Sequence, residues 1–224
     1  MNIAVFLKNN LKNFPPSIGK IINLIPYGFR PGIGSVYRKR QKEIFTFNSF
    51  SHFQKQTFIF ERMKFIVSYA YKNIKFYKEY YDKHDFNPQD LISFKDLKLI
   101  PIINKNILKN YEIENRSSPQ KNSYLVNTGG SSGTPFSFFI QPDSMGHEWA
   151  HIHYIWNKFD YKPSDFKLVF GGRSHLKSVV EYDVVRNQFS IDIYADYKLV
   201  ATKLKKVLKK YKIKYLIQNC LQIL

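Results

Sequence analysis

The sequence predicts an α/β chain: a mainly helical region over residues 1–115, followed by an α/β region with a mixed sheet over 116–224. Three observations carry this. The 224 residues are 44% hydrophobic and 17% aromatic, which is enough apolar side chain for a packed core and unlike the composition of a disordered chain. Helical spacing of apolar residues dominates the first half, whereas short aromatic and β-branched runs alternate with helical patterns in the second. Between Lys121 and Asp143 lie 21 uncharged positions, in a chain that is 23% charged.

Residues 1–60 mix short apolar stretches with the turn signals Phe14-Pro15-Pro16, Pro26-Tyr27-Gly28 and Pro31-Gly32-Ile33-Gly34, and nothing repeats. Over 57–81 apolar residues from Phe58 through Phe65, Ile66, Tyr69 and Phe76 to Tyr80 fall at the spacing of one helical face, with Lys and Glu opposite. Asn87-Pro88 ends that pattern, and Pro101 precedes a short helix with Lys105 and Lys109 exposed. The uncharged stretch predicts a strand at 123–127, a polar glycine loop and a strand at 136–140. A helix is expected over 143–159, capped by Asp143 or Ser144. A strand at 167–170, a Gly171-Gly172-Arg173 loop and β-rich residues at 179–193 come next. A helix over 197–212 and a strand at 215–217 complete the pattern.

The chain carries 35 Lys and Arg against 17 Asp and Glu, a net charge of +18 that suits a polyanionic or nucleotide partner. Only seven of the basic residues are Arg. Lysine is a point charge without the planar fork that reads bases, so this surplus argues against sequence-specific nucleic-acid recognition. The single cysteine, Cys220, excludes an intrachain disulfide and a cysteine-based zinc finger, which fits a reducing compartment. The N-terminal segment is interrupted by Lys8 and Lys12 and lacks the apolar run of a signal peptide, and the uncharged run 21–29 is too short to span a bilayer. The expectation is a cytoplasmic chain with no transmembrane segment, open to peripheral membrane contact.

The centre of the uncharged stretch, Thr128-Gly129-Gly130-Ser131-Ser132-Gly133-Thr134-Pro135, has the chemistry of a phosphate cradle. Glycines let backbone N–H groups approach an anion, and hydroxyls add donors without bulk. It is not a Walker A sequence, because no Lys-Ser or Lys-Thr follows the last glycine. Gly129-x-Ser131-x-Gly133 has the spacing of a nucleophile elbow, but Pro135 and a strand-like run follow where that motif needs a helix. A plain solvated loop remains a third reading.

This segment resembles the ATP-phosphate loop of adenylate-forming enzymes, in the variant of the phenylacetate-CoA ligase-like family that includes CapK-type capsular polysaccharide biosynthesis proteins. Phe76-Tyr77, the run Leu99-Ile100-Pro101-Ile102-Ile103-Asn104-Lys105, and Trp156 with Tyr161-Lys162-Pro163-Ser164-Asp165 fall in the family's order, so the resemblance covers about residues 60 to 217. It implies an adenylate-forming N-terminal domain and a ligase that joins a small-molecule carboxylate to ATP as an acyl-adenylate, with Mg²⁺ and with CoA as a further acceptor. Thr128, Ser131, Ser132 and Thr134 would supply hydroxyls to the β and γ phosphates, and Gly129, Gly130 and Gly133 backbone amides. The lysine that ends the motif in many such enzymes is absent, for Phe136 follows Pro135. Family members are about twice as long and carry their metal-holding acid, adenine contacts and catalytic lysine further on. The expectation is therefore an incomplete domain, a fragment inactive alone, with no catalytic residue assigned and its oligomeric state open.

Two rival readings stand beside it. His147-Glu148-Trp149-Ala150-His151 matches H-E-x-x-H on a helix, where two histidines at i and i+4 hold zinc and the glutamate activates water, a zinc-dependent hydrolase. His153 points away from that face, and surface or packing histidines are the competing explanation. Residues 198–214 carry eight lysines and no acid. That pattern fits a basic, non-enzymatic binding protein, or simply the solvated face of a helix covering a sheet.

Overall fold

A computed structural model describes residues 14–30, 33–118, 122–128, 135–141, 143–171, 176 and 178–218. The elements, in chain order, are α1 (Pro16–Ile22), α2 (Gly34–Ser49), α3 (His52–Asn73), α4 (Lys75–Lys83) and α5 (Lys105–Lys109), then β1 (Tyr124–Asn127) and β2 (Ser137–Ile140). They are followed by α6 (Ser144–Asn157), β3 (Lys167–Phe170), β4 (Val180–Asp183), β5 (Gln188–Ile191), α7 (Tyr197–Lys210) and β6 (Tyr215–Gln218). The chain divides into two compact units, one spanning Met1–Lys42 with Met145–Leu224 and the other Glu43–Ser144, which differs from the division at 115/116 expected from sequence.

The first unit is built on a mixed sheet of order β4-β5-β3-β6. β3 runs parallel to β5 and β6, and β4 antiparallel to β5. Because β5 and β6 lie on opposite sides of β3, the connection through α7 crosses over β3, the kind of connection that joins parallel strands. Leu168, Phe189, Ile191 and Tyr182 form the apolar face, and Val200, Leu204 and Val207 of α7 pack against it. The alternate positions Lys167, Gln188 and Ser190 are buried and polar. Gly19 of α1 is needed here, because a Cβ at that position runs into the Tyr182 hydroxyl.

The second unit packs Phe60 and Val67 of α3 against Tyr81, Phe86 and Leu91. α3 opens with a capping box in which the Gln54 N–H donates to Ser51 Oγ and the Ser51 N–H to Gln54 Oε1. The single helical face expected over 57–81 is corrected here. Ile74 is extended (φ −126°, ψ 115°) and separates α3 from α4. The break frees the Phe76 N–H to donate to the Asn115 carbonyl at 2.8 Å and turns the Phe76 ring into full burial. Phe65, Ile66 and Tyr69 are exposed instead of sharing that buried face.

The later elements follow the sequence pattern closely. α6 starts at Ser144 and α7 ends at Lys210, where Tyr211 turns extended.

Candidate phosphate-binding hairpin

β1 and β2 pair antiparallel with Tyr124 opposite Ile140 and Asn127 opposite Ser137. Thr128 and Phe136 close the connection between them. The Thr128 N–H donates to the Phe136 carbonyl at 2.9 Å, and the Phe136 N–H donates to Thr128 Oγ1 at 3.0 Å. Below this pair, Ser137 Oγ donates to Asn127 Oδ1 at 2.7 Å. The connection is longer than the two to five residues that usually close a hairpin, the kind of length found where a loop has work of its own.

Of the residues expected to hold phosphate, Thr128 is thus placed at the mouth of the loop. Its hydroxyl oxygen accepts the bond that closes the loop, and the hydroxyl hydrogen is not consumed by that bond. Gly129, Gly130, Ser131, Ser132, Gly133 and Thr134 lie outside the described residues.

Arg116 is the residue that sequence reasoning missed. Its guanidinium lies 4.3 Å from the centroid of the Phe136 ring, on the residue that stands where the family motif has lysine. Arg116 Nε donates to the Tyr111 carbonyl at 3.2 Å, and the Tyr111 ring meets buried Phe76 edge-on at 4.7 Å. A continuous path therefore runs from Phe76 at the start of α4, through Tyr111 and Arg116, to the base of the hairpin. Twenty positions separate Arg116 from Phe136, and no periodicity or spacing in the sequence links them. A charge-free stretch of chain is supplied with a cation from outside itself.

In the first unit, α6 carries the histidines. His147 Nδ1 accepts from Arg40 Nε at 2.8 Å, and partial burial, followed by the same guanidinium, holds His151 below its ordinary pKa. Arg40 thus brings a positive charge to the face that a zinc ion would approach. Among the described residues no group of three His, Cys, Asp or Glu side chains converges as metal ligands. His153 is buried instead. Its Nδ1 is bonded to the Tyr37 hydroxyl at 2.9 Å, it is surrounded by Tyr27, Trp149, Trp156 and Tyr161, and burial first, then Lys167, Arg30 and Arg186, push its pKa down to about 3.

Lys167, the one charge in an otherwise apolar strand, is the deepest titratable group of this unit at 1% exposure. Its Nζ donates to the Tyr161 hydroxyl at 2.7 Å and to the Arg186 carbonyl at 2.5 Å. Desolvation pulls its pKa down to about 7. Arg30 is held by the carbonyls of Ile25 and Val185 at 3.0 and 2.7 Å, and Arg186 pairs with Asp183 at 2.6 Å. Lys167 is thus bonded to Tyr161 and to the Arg186 backbone, Arg30 to backbone carbonyls and Arg186 to Asp183, while among the described residues Tyr27 Oη, Trp149 Nε1, His153 Nε2 and Arg186 Nε are buried with no hydrogen-bond partner. Their signal in the sequence was weak: a lone lysine between Phe166 and Leu168.

No protein-family model matches the chain, and neither a curated protein nor a solved structure matches it.

Proposed function

We propose that the Thr128–Phe136 connection binds the β and γ phosphates of ATP, and that the chain forms the phosphate-binding part of an adenylate-forming ligase of the phenylacetate-CoA ligase-like kind. One observation carries the reading: a long, glycine- and hydroxyl-rich connection is pinned at its mouth by Thr128 and Phe136, with the Arg116 guanidinium stacked on Phe136. The order of motifs along the chain supports it.

ATP supplies the activated phosphorus: the substrate carboxylate oxygen bonds to the α phosphorus as the bond to the β-phosphate oxygen breaks. The chain's own part is to hold the departing pyrophosphate. Donors fixed in advance around that group stabilise the charge it gains, without reorganising during the reaction. The Thr128 hydroxyl and the backbone amides of the glycines are those donors. Arg116 replaces the lysine missing after Pro135, and a guanidinium grips two phosphate oxygens where an ammonium acts as a point charge. The hairpin carries no carboxylate to hold Mg²⁺, so no step is routed through the ion, and no residue is assigned to CoA. The reading carries with it a cytoplasmic setting and a role in capsular or cell-surface polysaccharide synthesis. Among the described residues no helix is long and apolar enough to cross a membrane.

Exchange of labelled pyrophosphate into ATP tests the chemistry. A form extended through the downstream DNA is expected to catalyse exchange that depends on an added carboxylic acid and falls at least tenfold in Arg116→Gln, while the 224 residues alone are not. Exchange absent with a broad panel of aliphatic and aromatic acids contradicts the ligase reading.

A further inference from the structure

α7 does more than cover the sheet. Covering requires only the stripe Val200, Leu204 and Val207, which packs on the core. The remainder of the helix, from Lys198 to Lys210, carries six lysines and no acid, and all six are exposed. α4 offers a contrast: Lys75 and Lys78 are each paired one turn on, with Glu79 and Asp82. On α7 the same spacing sets lysine against lysine, Lys205 with Lys209 and Lys206 with Lys210, which costs helix stability in water. The two acids that precede it are spent on local turns. Asp196 caps α7 through the Leu199 N–H, and Asp192 accepts from the Tyr194 N–H.

Apolar side chains project beside these lysines. Tyr194 is 67% exposed and Tyr197 73%, and Leu199 and Leu208 are exposed as well. Exposed aromatics and leucines flanking long cationic side chains are the makings of a surface that lies in a lipid headgroup layer, with tyrosine and leucine reaching to the acyl boundary and lysine stems bending back to the phosphates. We propose that this face of α7, with Tyr194 at its leading end, docks the protein on an anionic bilayer. The helix contains no Arg, and beside Tyr194 and Tyr197 it exposes Leu199 and Leu208, which gain from contact with acyl chains and give a nucleic acid nothing to stack on. An anionic lipid surface therefore matches it better than RNA does.

Sedimentation with vesicles tests this. In about 0.1 M salt, the protein is expected to pellet with vesicles of phosphatidylcholine mixed with phosphatidylglycerol and to stay in solution with phosphatidylcholine alone. The triple change Lys205→Gln, Lys206→Gln and Lys209→Gln should weaken binding about a hundredfold, at about fivefold per lysine near an anionic surface. Removing equal charge elsewhere, by Lys72→Gln, Lys95→Gln and Lys98→Gln, should change it less than about threefold if the α7 face governs binding. Tyr194→Ser with Tyr197→Ser should weaken it several-fold and leave the helical circular dichroism unchanged. Equal losses in the two triple variants, no binding to the anionic vesicles, or tight binding to single-stranded RNA without vesicle binding would each overturn the proposal.

Discussion

Lys167 shows what a single buried charge does to the whole chain's stability. Its pKa is lowered from an ordinary lysine value to about 7, so between pH 7 and about 10.5 the unfolded chain takes up a proton that the folded one declines. Stability therefore rises with pH across that window and is lost as pH falls towards 7, by up to about 1.4 kcal/mol per unit. Urea unfolding from pH 7 to 9.5 should show the midpoint climbing in the natural protein and staying level in Lys167→Met. His153 works the acid side in the same sense: held down to about 3, it costs stability as pH falls from about 6.5 towards 3. Gly19 is a steric counterpart. The hydroxyl it faces donates to Asn187 Oδ1 at 2.7 Å, so the Tyr182 ring gives way only by breaking a buried bond. Gly19→Ala should cost about 1–3 kcal/mol by thermal or urea unfolding. Neither role is visible in the sequence, because Gly19 meets Tyr182, 163 positions on, and Lys167 is bonded to the Arg186 carbonyl, 19 positions on in the turn before β5.

Elements were more legible than residues. β1, β2, β3 and β6 fall within a residue of where alternation and glycine placed them, since a strand bounded by turn residues has little freedom in its ends. α7 likewise follows its apolar stripe. The helix over 57–81 failed as one unit because periodicity records which faces are apolar and not where the backbone turns. Ile74 is an apolar residue like its neighbours, and only the tertiary bond from Phe76 to Asn115 reveals the break. α3 starts, by contrast, at a signal written in the sequence: Ser51 and Gln54 make a reciprocal cap. Ser51→Ala should cost about 1 kcal/mol, read as a lower thermal midpoint, and Gln54→Ala somewhat less. The hairpin is the element on which the proposed function turns. Its strands and Thr128 were legible, while Arg116, which brings a charge to an uncharged stretch, was not.

At the scale of the whole molecule, mixed helix and sheet agree with the α/β class expected from alternating patterns, including a sheet with both parallel and antiparallel neighbours. The division into units was not legible, because the first unit joins residues from both ends of the chain and a linear reading of composition finds only linear boundaries. The +18 charge is also unevenly used: Lys75 and Lys78 of α4 are paired with acids, and the six lysines of α7 are exposed with no acid on their helix. We propose that the hairpin connection holds the phosphates of ATP, with Arg116 as their cation. Calorimetric titration with inorganic pyrophosphate tests it most directly, with the natural chain, Thr128→Val, Arg116→Gln and Arg116→Lys compared at one ionic strength. Saturable one-to-one binding is expected, weakened about tenfold or more by Thr128→Val and by Arg116→Gln, each the loss of a bond worth about 1.5–3 kcal/mol, and partly restored in Arg116→Lys. Pyrophosphate that fails to bind the natural chain, or binds all four proteins alike, contradicts it.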